Sequence, residues 1–340
     1  MIAHFDGRYS VQPRLSDLFA HYSFSKLKFI AACGFETRAP SILKQMSMRI
    51  DKGADVECIL LDLLNRNDPS YLQARRRQRR NIVDMTDLVR LRKWNLRTIK
   101  VDLYSKKLIA HKPIMNTLTA ILRKFVGDFF LDISSIPRSI LFPVLKILWN
   151  SDRTKNLFVG YTEDTRVGAL EKQADKYRPP AYIPGFSLKR TDGLIPIWFP
   201  ILGNDAKPVN EISHESRFKY VYPVVGFPST RPMETDELVK RNRELIECNP
   251  DNLIFASMND PFQLAMTLNN TIDEMRGTFG ADASIIISPH GSKPQSVGVF
   301  LTAMLKDAAL LYCQPRAYKA RLGGVGSSLL YWLKGDPYRG

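Results

Sequence analysis

Ala283-Ser-Ile-Ile-Ile-Ser-Pro-His-Gly-Ser-Lys-Pro-Gln-Ser296 is the stretch of sequence that decides the fold class. Its first six residues are an apolar run bounded by turn residues, which predicts a buried β-strand. Pro289 to Ser292 follow as a turn, and Pro294 then occupies the first turn of a helix, where proline is readily accepted. A strand that passes through a short turn directly into a helix is the building unit of an α/β protein.

The same alternation of apolar runs and segments of helical period extends along the whole chain. In the first half, strands are predicted at 28–33, 56–62, 98–104, 129–133 and 156–161. In the second half, they are predicted at 219–225, 253–257, 283–288 and 308–313, with helices from Met233, Pro261 and Pro294. This order is typical of mainly parallel sheets covered by helices. We therefore predict an α/β protein with two Rossmann-like domains.

Two pairs of similar turns indicate an internal duplication. The first pair is Cys33–Arg38 (CGFETR) and Val225–Arg231 (VGFPSTR), and the second is Asp132–Ser139 (DISSIPRS) and Ile287–Pro294 (ISPHGSKP). The two turns lie 100 residues apart in the first half (34 to 134) but 63 apart in the second (226 to 289). An insert of a helix and a strand over about 67–104 would account for the surplus. Chance similarity between short segments is the alternative explanation.

Domain boundaries follow from these predictions and from proline and glycine content. We place an N-terminal Rossmann-like domain at 1–176, with the arginine-rich insert at about 67–104, and a C-terminal Rossmann-like domain at 211–340. Residues 177–210 are rich in proline and glycine and are predicted to be an irregular connector.

Composition limits the class of partner and the cellular compartment. The formal net charge of +15 over 340 residues attracts anions such as nucleotides, nucleic acid or an acidic protein, although a solvated basic surface is the alternative. The four cysteines have no zinc-ligand or disulfide spacing, which fits a reducing cytosol, and we predict a cytoplasmic protein with neither metal nor cofactor. The apolar runs are too short to cross a bilayer, so no membrane association is predicted.

Candidate ligand-binding residues follow from the position of the turns. In open parallel sheets, ligands bind beyond the carboxyl ends of the strands, where helix N-termini and backbone N–H groups favour anions. The turns supply small residues, hydroxyl groups and one cation each. The predicted ligand-binding residues are Gly34, Thr37, Arg38, Ser134, Ser135, Arg138, Thr230, Arg231, Gly291, Ser292 and Lys293. No complete Walker motif is present, and simple helix capping by serine and proline is the alternative role.

The turns Asp132–Arg138 and Ile287–Pro294 resemble the strand, Gly-Thr-Lys-type turn and helix of CARF domains, which are Rossmann-like sensors. This resemblance implies a cyclic oligonucleotide as ligand, bound between two such domains, and a role in prokaryotic antiviral defence; some family members also cleave the ring. Gly291, Ser292 and Lys293 match the family turn better than the first half does. Ile136 and Pro137 stand where the family usually has Gly-Thr, which puts Ser134, Ser135 and Arg138 in doubt as equivalents.

A run of arginines forms a second candidate site. Its members are Arg75, Arg76, Arg77, Arg79 and Arg80. If the segment is helical, these cations point to several sides of the axis, which suits a phosphate backbone or an acidic partner better than one compact ligand. A solvated surface helix is the alternative.

Catalysis is open at the level of sequence. Glu36 beside Arg38 and His290 beside Lys293 are the candidate catalytic residues, with Asp132 at a strand end as a further acid or base. The first hypothesis is a sensor or regulator that binds a nucleotide or cyclic oligonucleotide. The second is a phosphodiesterase-type enzyme acting on a nucleotide or nucleic acid, and the third is a protein that binds nucleic acid or an acidic partner through the arginine run. The sequence leaves the oligomeric state open.

Overall fold

The computed structural model of the chain describes residues 15, 18–19, 22–64, 72–102, 111–165, 177–189, 194–229, 231–316 and 323–335. These residues fall into two compact units. The first takes its described residues from Val11–Val167 and Lys319–Gly340, and the second from Gly168–Tyr318. Each unit has its own sheet, and each is described by itself below.

The first unit contains six strands and four helices among its described residues. In chain order these are β1 (Lys26–Cys33), α1 (Ser41–Arg49), β2 (Asp55–Leu64), α2 (Leu72–Leu91), β3 (Asn95–Asp102), α3 (Lys112–Leu122), β4 (Gly127–Asp132), α4 (Arg138–Asn150), β5 (Thr154–Asp164) and, near the end of the chain, β13 (Val325–Lys334).

The first sheet has the strand order β13-β5-β4-β1-β2-β3. Strands β1 to β5 are parallel and β13 runs antiparallel along β5. All residues of β1 after Lys26 are buried, as are all six residues of β4. Continuous apolar runs of this kind are expected for central strands with helices on both faces. The parallel strands therefore follow the Rossmann order 3-2-1-4-5.

A hydrophobic core fixes helices α1 and α2 against this sheet. Alternate residues of β1, including Phe29 and Ala31, pack in one cluster with Met46 of α1 and with Met85 and Val89 of α2. Helices α3 and α4 pack against each other and against β3 and β5, respectively. The core thus holds each crossover helix in register with the strands that it connects.

The second unit contains seven strands and five helices among its described residues. They are β6 (Ala181–Tyr182), β7 (Ile195–Ile201), α5 (Lys207–Glu215), β8 (Tyr220–Val221), β9 (Val224–Gly226), α6 (Glu234–Arg241), α7 (Arg243–Glu247), β10 (Ile254–Ala256), α8 (Pro261–Phe279), β11 (Ala283–Pro289), α9 (Lys293–Lys306) and β12 (Ala309–Tyr312), with short 3-10 turns at Pro250–Asn252 and Gly280–Asp282.

The second sheet repeats the order of the first. Its path is β10-β9-β7-β11-β12-β6, with β8 paired to β7. The short strand β8 runs parallel to β7. The other parallel strands, β7, β9, β10, β11 and β12, again lie in the order 3-2-1-4-5. The antiparallel strand β6 lies beside the fifth strand, as β13 does in the first sheet. The predicted α/β class with two Rossmann-like, mainly parallel sheets is confirmed, and the repeated order is consistent with internal duplication.

The predicted insert at 67–104 is corrected by this comparison. Helix α2 and strand β3 occupy that region, and β3 is the third strand of the first sheet. The second sheet has an equivalent third strand, β10, preceded by α6 and α7. The arginine-rich segment is therefore a regular crossover helix of the fold.

The irregular connector predicted at 177–210 is also corrected. Strand β7 lies inside it and forms the centre of the second sheet, paired with β11 along its full length. The prolines and glycines of this segment, including Pro179, Pro180, Pro184 and Pro196, predicted irregular chain. The carbonyl oxygens of Pro196 and Trp198 accept hydrogen bonds from Lys219 and Tyr222, so the even residues of β7 face β8 and β9. The hydrogen-bonding partner along this edge of β7 is interrupted between β8 and β9. Prolines, which have no N–H group to donate, are therefore tolerated on this edge of β7.

The predicted C-terminal domain at 211–340 is corrected as well, because β13, near the end of the sequence, belongs to the first sheet. Strand β13 pairs with β5, with Leu329 opposite Tyr161 and Tyr331 opposite Val159. Leu330 and Tyr331 are almost fully buried. The first unit is thus discontinuous in sequence.

Within the described part of the chain, no helix combines the length and the apolar character needed to cross a membrane.

Candidate functional site

The strand order of the first sheet reverses between β1 and β4, and this is the point where doubly wound proteins hold their ligands. The turns that follow the two strands meet there. A Cβ atom placed on Gly34 would lie 2.8 Å from Cβ of Ser135, so only glycine allows this approach. The structure thus brings together two of the four predicted turns, Gly34–Arg38 and Ser134–Arg138.

Helix α2 fastens the turn after β1 from one side. The Asn81 side chain donates to the carbonyl oxygens of Gly34 (2.7 Å) and Glu36 (2.9 Å). The Arg77 guanidinium donates to the hydroxyl oxygen of Thr37 at 3.1 Å. The arginine run therefore touches the strand-end site through one member.

Glu36 and Arg38 form an ion pair within the site. The guanidinium of Arg38 reaches both carboxylate oxygens of Glu36, with the shortest N···O distance at 3.1 Å. The same guanidinium donates to the hydroxyl of Tyr161 (3.1 Å) and to the carbonyl oxygen of Thr162 (2.7 Å) on β5. Burial alone would lower the pKa of Arg38, but the Glu36 carboxylate and Tyr161 outweigh it and raise that pKa. Arg38 is therefore a charged residue held in place by β5 and Glu36.

The turn after β4 is held by its own hydroxyl and carboxyl groups. The backbone N–H of Ser134 donates to Oδ1 of Asp132 at 2.9 Å, and Oγ of Ser134 accepts from the backbone N–H of Thr162 at 2.9 Å. Ser135 donates to the Glu36 carboxylate at 3.1 Å, which joins the two turns. Arg138 is buried at the first position of α4, where the chain enters the helix.

Asp132 is the most perturbed acid of the site. Only 2% of the residue is exposed, and burial raises the pKa of its carboxyl to about 6 against the opposing effect of the Ser134 hydrogen bonds and the Arg38 charge. Oxygen Oδ2 has no hydrogen-bond partner among the described residues. A buried carboxyl that titrates near neutral pH is a recognised mark of a functional site.

The second sheet has the same junction between its first and fourth strands, β7 and β11. A Cβ atom on Gly203, two residues after the end of β7, would collide with the carbonyl oxygen of His290 in the turn after β11. The Asn242 side chain, between α6 and α7, donates to the carbonyl oxygen of Gly203 at 3.0 Å. Gly34, Ser135 and Asn81 in the first unit thus correspond to Gly203, His290 and Asn242 in the second.

This correspondence reveals a repeat that the sequence analysis missed. Gly34-Phe-Glu36-Thr-Arg38 corresponds to Gly203-Asn-Asp205-Ala-Lys207, so an acidic residue stands two positions and a basic residue four positions after each glycine. The signal was present in the sequence as Gly-x-acid-x-base, with a proline two positions after the base in the first unit (Pro40) and one position after it in the second (Pro208). It was overlooked because β7 had been assigned to the connector.

The repeated residues form different interactions in the two units. Asp205 is buried, accepts from the hydroxyl of Tyr177 at 2.7 Å and accepts from the backbone N–H of Lys207 at 3.1 Å. Lys207 itself is exposed, whereas Arg38 is buried. In the second unit the acidic residue therefore supports the start of α5 and bonds to a tyrosine, whereas Glu36 pairs with Arg38.

The predicted similarity between Gly34–Arg38 and Gly226–Arg231 is corrected by the strand order. Gly226 ends β9, the second strand of its sheet, whereas Gly34 follows a first strand. Arg231 pairs with the Glu234 carboxylate at 2.8 Å, at the start of α6. Thr230 lies outside the described residues.

The turn after β11 contains the other predicted residues, Gly291, Ser292, Lys293 and His290. Ser292 caps helix α9, accepting from the backbone N–H of Gln295 at 3.1 Å, while Oε1 of Gln295 accepts from the N–H of Ser292 at 2.8 Å. Lys293 is the first residue of α9. The His290 ring stacks on Tyr312 with centroids 5.1 Å apart. His290 and Glu36, the two predicted catalytic residues, belong to different units.

The arginine run forms the first turns of α2, where its members differ in burial. Gln78, Asn81, Met85 and Val89 form the buried face of the helix. Arg76, Arg79 and Arg80 are exposed, whereas Arg75 and Arg77 are partly buried. The exposed set forms a compact cationic surface, which we call the α2 arginine surface.

No group of three or more histidine, cysteine or acidic side chains is arranged to hold a metal ion in the portions of the chain that the structure describes. All four cysteines are free thiols, and Cys33, Cys58 and Cys313 are buried.

Comparison with known proteins identified no matching family model and no matching curated protein. Two solved structures align loosely with the chain. One is a protein from Pseudomonas aeruginosa UCBPP-PA14 described as a universal stress protein, with 12% identity, a TM-score of 0.25, and coverage of 87% of this chain and 95% of the other. The other is the cytoplasmic domain of a prokaryotic cation chloride cotransporter, with 8% identity, a TM-score of 0.25, and coverage of 87% and 96%. Superpositions this loose establish no common function, and the fold assignment rests on the strand order.

Proposed function

We propose that the first sheet binds a phosphate-bearing, nucleotide-type ligand where β1 and β4 end, and that the chain is a nucleotide-binding sensor or regulator. The observation that carries this proposal is the contact between Gly34 and Ser135. It places two turns side by side at the strand-order reversal, where a ligand can touch both.

The chemistry of the two turns supports an anionic ligand. Ser134, Ser135 and Thr37 bring hydroxyl groups to this edge of the sheet, and Arg138 begins helix α4 there. The N-terminus of a helix favours negative charge, since its first N–H groups lack intrahelical partners. The net charge of +15 adds a general attraction for anions.

A cyclic oligonucleotide is one candidate within this class, and a role in antiviral defence would follow from the resemblance to CARF domains. Both proposals depend on the turns after the fourth strands, Ser134–Arg138 and His290–Lys293. The repeated Rossmann-like strand order supports them, because CARF domains are Rossmann-like. A ligand panel that includes linear and cyclic oligonucleotides separates this case from a mononucleotide.

Thermal shift with that panel tests the proposal, using two matched substitutions. Arg138→Met removes the cation of the first junction, and Lys293→Met removes a cation from the equivalent turn of the second unit. We expect at least one nucleotide to raise the melting temperature of the wild type and of Lys293→Met, with the shift lost in Arg138→Met. No shift with any nucleotide would refute the proposal, and loss only in Lys293→Met would move the site to the second sheet.

An enzyme acting on a nucleotide or nucleic acid is the second candidate function. The raised pKa of Asp132 favours it, because an acid that titrates near neutral pH can exchange protons with a substrate. Incubation with the same panel followed by chromatography distinguishes turnover from binding. Unchanged nucleotides at stoichiometric protein would exclude the enzyme.

A further inference from the structure

Asp132 presents one engaged and one unengaged oxygen at the junction of the first sheet. Oδ1 accepts from the backbone N–H of Ser134 in the turn that leads to α4. Oδ2 is buried and has no hydrogen-bond partner among the described residues. A buried polar atom without a partner is costly. Because Oδ2 is closed off from solvent, the turn after β4 must move before a ligand oxygen can bond to it.

The negative charge that Asp132 would carry when ionised is only partly balanced by the charges around it. Arg38, the cation that acts on it electrostatically, is itself shared between Glu36, Tyr161 and Thr162. Glu36 adds a negative charge from the turn after β1, and Tyr161 faces Arg38 from β5. Helix α4 contributes Arg138 at its first position. Because the main cation is already paired, ionised Asp132 would repel an anion in this site.

We propose that Asp132 binds the phosphate-bearing ligand as a neutral carboxylic acid, donating a hydrogen bond from Oδ2 to a ligand oxygen, so that binding takes up one proton. This inference rests on the proposed function, because it concerns the same site. The atoms balance simply: one solvent proton is transferred to Oδ2 and is shared with the ligand oxygen, and no covalent bond of the ligand changes.

The second unit supplies an internal contrast. Ala31, three residues before Gly34, pairs with Asp132, whereas Pro200, three residues before Gly203, pairs with Ser288. Ser288 thus occupies the equivalent position, and its Oγ accepts from the indole N–H of Trp198 at 2.8 Å. Ser288 therefore places a hydroxyl where the first junction has the carboxyl of Asp132.

Sulfate is the probe for this coupling, because it remains a dianion across the relevant pH range and its own titration cannot produce a pH dependence. We would measure sulfate affinity by calorimetry between about pH 5 and pH 8 at constant ionic strength. The sign follows from the raised pKa of Asp132: the neutral acid predominates below about pH 6 and is lost above it. The dissociation constant is therefore expected to rise about tenfold for each pH unit above about 6.

Three substitutions sharpen the test. Asp132→Asn keeps an acceptor for Ser134 and a donor amide that does not titrate, so its affinity is expected to be independent of pH and to equal the low-pH wild-type value. Asp132→Ala is expected to bind weakly at every pH. Asp55→Asn, which changes an exposed acid at the start of β2, at the edge of the sheet opposite the junction, is expected to retain the wild-type profile.

A flat wild-type profile, or an affinity that increases with pH, would overturn the inference. If sulfate binds too weakly for calorimetry, carbon-13 NMR can follow the pH titration of the Asp132 carboxyl with and without sulfate. The inference requires sulfate to raise the midpoint of that titration. An unmoved midpoint would also overturn it. Failure of every nucleotide to bind while sulfate shows the coupling would refute the proposed function alone, whereas a nucleotide that binds the first junction without pH dependence would refute only this inference.

Discussion

At the scale of single residues, the two units are most alike at the glycine and asparagine positions that determine the backbone geometry of the turns. Gly34 and Gly203 allow the turns of the first and fourth strands to touch, and Asn81 and Asn242 donate to their carbonyl oxygens. The acid and the base after each glycine are also repeated, but the carboxyl of Asp132 is replaced by the hydroxyl of Ser288. The shared geometry supports the junction, while the ionisable chemistry distinguishes the first unit.

Gly34→Ala tests whether this junction depends on the close approach of its turns. The new methyl carbon would lie 2.8 Å from Cβ of Ser135 and 2.9 Å from its Oγ, so the turns must move apart. We expect a loss of about 1–3 kcal/mol in the free energy of unfolding, as for other overpacked sites. Urea unfolding followed by tryptophan fluorescence gives the measurement.

Gly53→Ala is the matched control for this substitution. Gly53 lies in an exposed turn of the same unit, and no atom lies within 4 Å of an added Cβ. Its stability is expected to stay within about 0.5 kcal/mol of the wild type. Equal stability of both variants would show that the turns do not depend on glycine at position 34.

At the scale of elements, the sequence predicted most strands of both sheets, because parallel central strands read as continuous apolar runs. Among the central strands, β7 was missed, because the proline and glycine content of 177–210, which includes Pro196, predicted an irregular connector. Because β7 was not predicted, β9 was taken as the first strand of the second half. The turn after β9 was therefore compared with the turn after β1. The first junction, which unites Gly34–Arg38 with Ser134–Arg138, was nevertheless predicted from the position of these turns at strand ends. The hydrogen bonds that hold the two junctions were not predicted. Their donors, Asn81 on α2 and Asn242 between α6 and α7, lie 47 and 39 residues in sequence, respectively, from the glycines whose carbonyl oxygens they bond.

Helix α2 carries the prediction that belongs to this scale. If the α2 arginine surface binds nucleic acid, replacing Arg76, Arg79 and Arg80 by glutamine removes up to three phosphate contacts without touching Arg77, which holds Thr37. We expect weaker binding to single-stranded and double-stranded DNA and RNA, and a decrease of roughly 2 to 3 in the slope of log affinity against log salt. Fluorescence anisotropy at several salt concentrations measures both quantities.

The control keeps the same change in net charge. Arg49, Arg123 and Arg153 are exposed residues of the same unit that lie outside helix α2. Their replacement by glutamine is expected to leave the salt slope near the wild-type value. An identical reduction in both triple variants would show that only net charge matters and that α2 is a solvated surface helix.

At the scale of the whole molecule, the discontinuous course of the chain decides which segments depend on each other. The first sheet needs β13, which follows the entire second unit in sequence, and β13 contributes the buried side chains of Leu330, Tyr331 and Leu333. It also covers the edge of β5, the strand that carries Tyr161 and Thr162 beside the site. Stability of the proposed ligand site is therefore tied to a segment that lies more than 150 residues away in sequence from this strand.

Truncation after Tyr318 tests this dependence, with truncation after Gly335 as a control that retains β13. Removing three buried side chains should cost roughly 5 kcal/mol from lost apolar burial, and it also exposes the hydrogen-bonding edge of β5. Hydrogen exchange followed by mass spectrometry is expected to show lost protection in peptides from β5, β4 and β1. Peptides from β7 and β11 should keep theirs, because their pairing does not involve β13. Undiminished protection of β5 in the shorter chain would show that the first sheet is stable without β13, and equal loss in both sheets would show that the two units unfold as one.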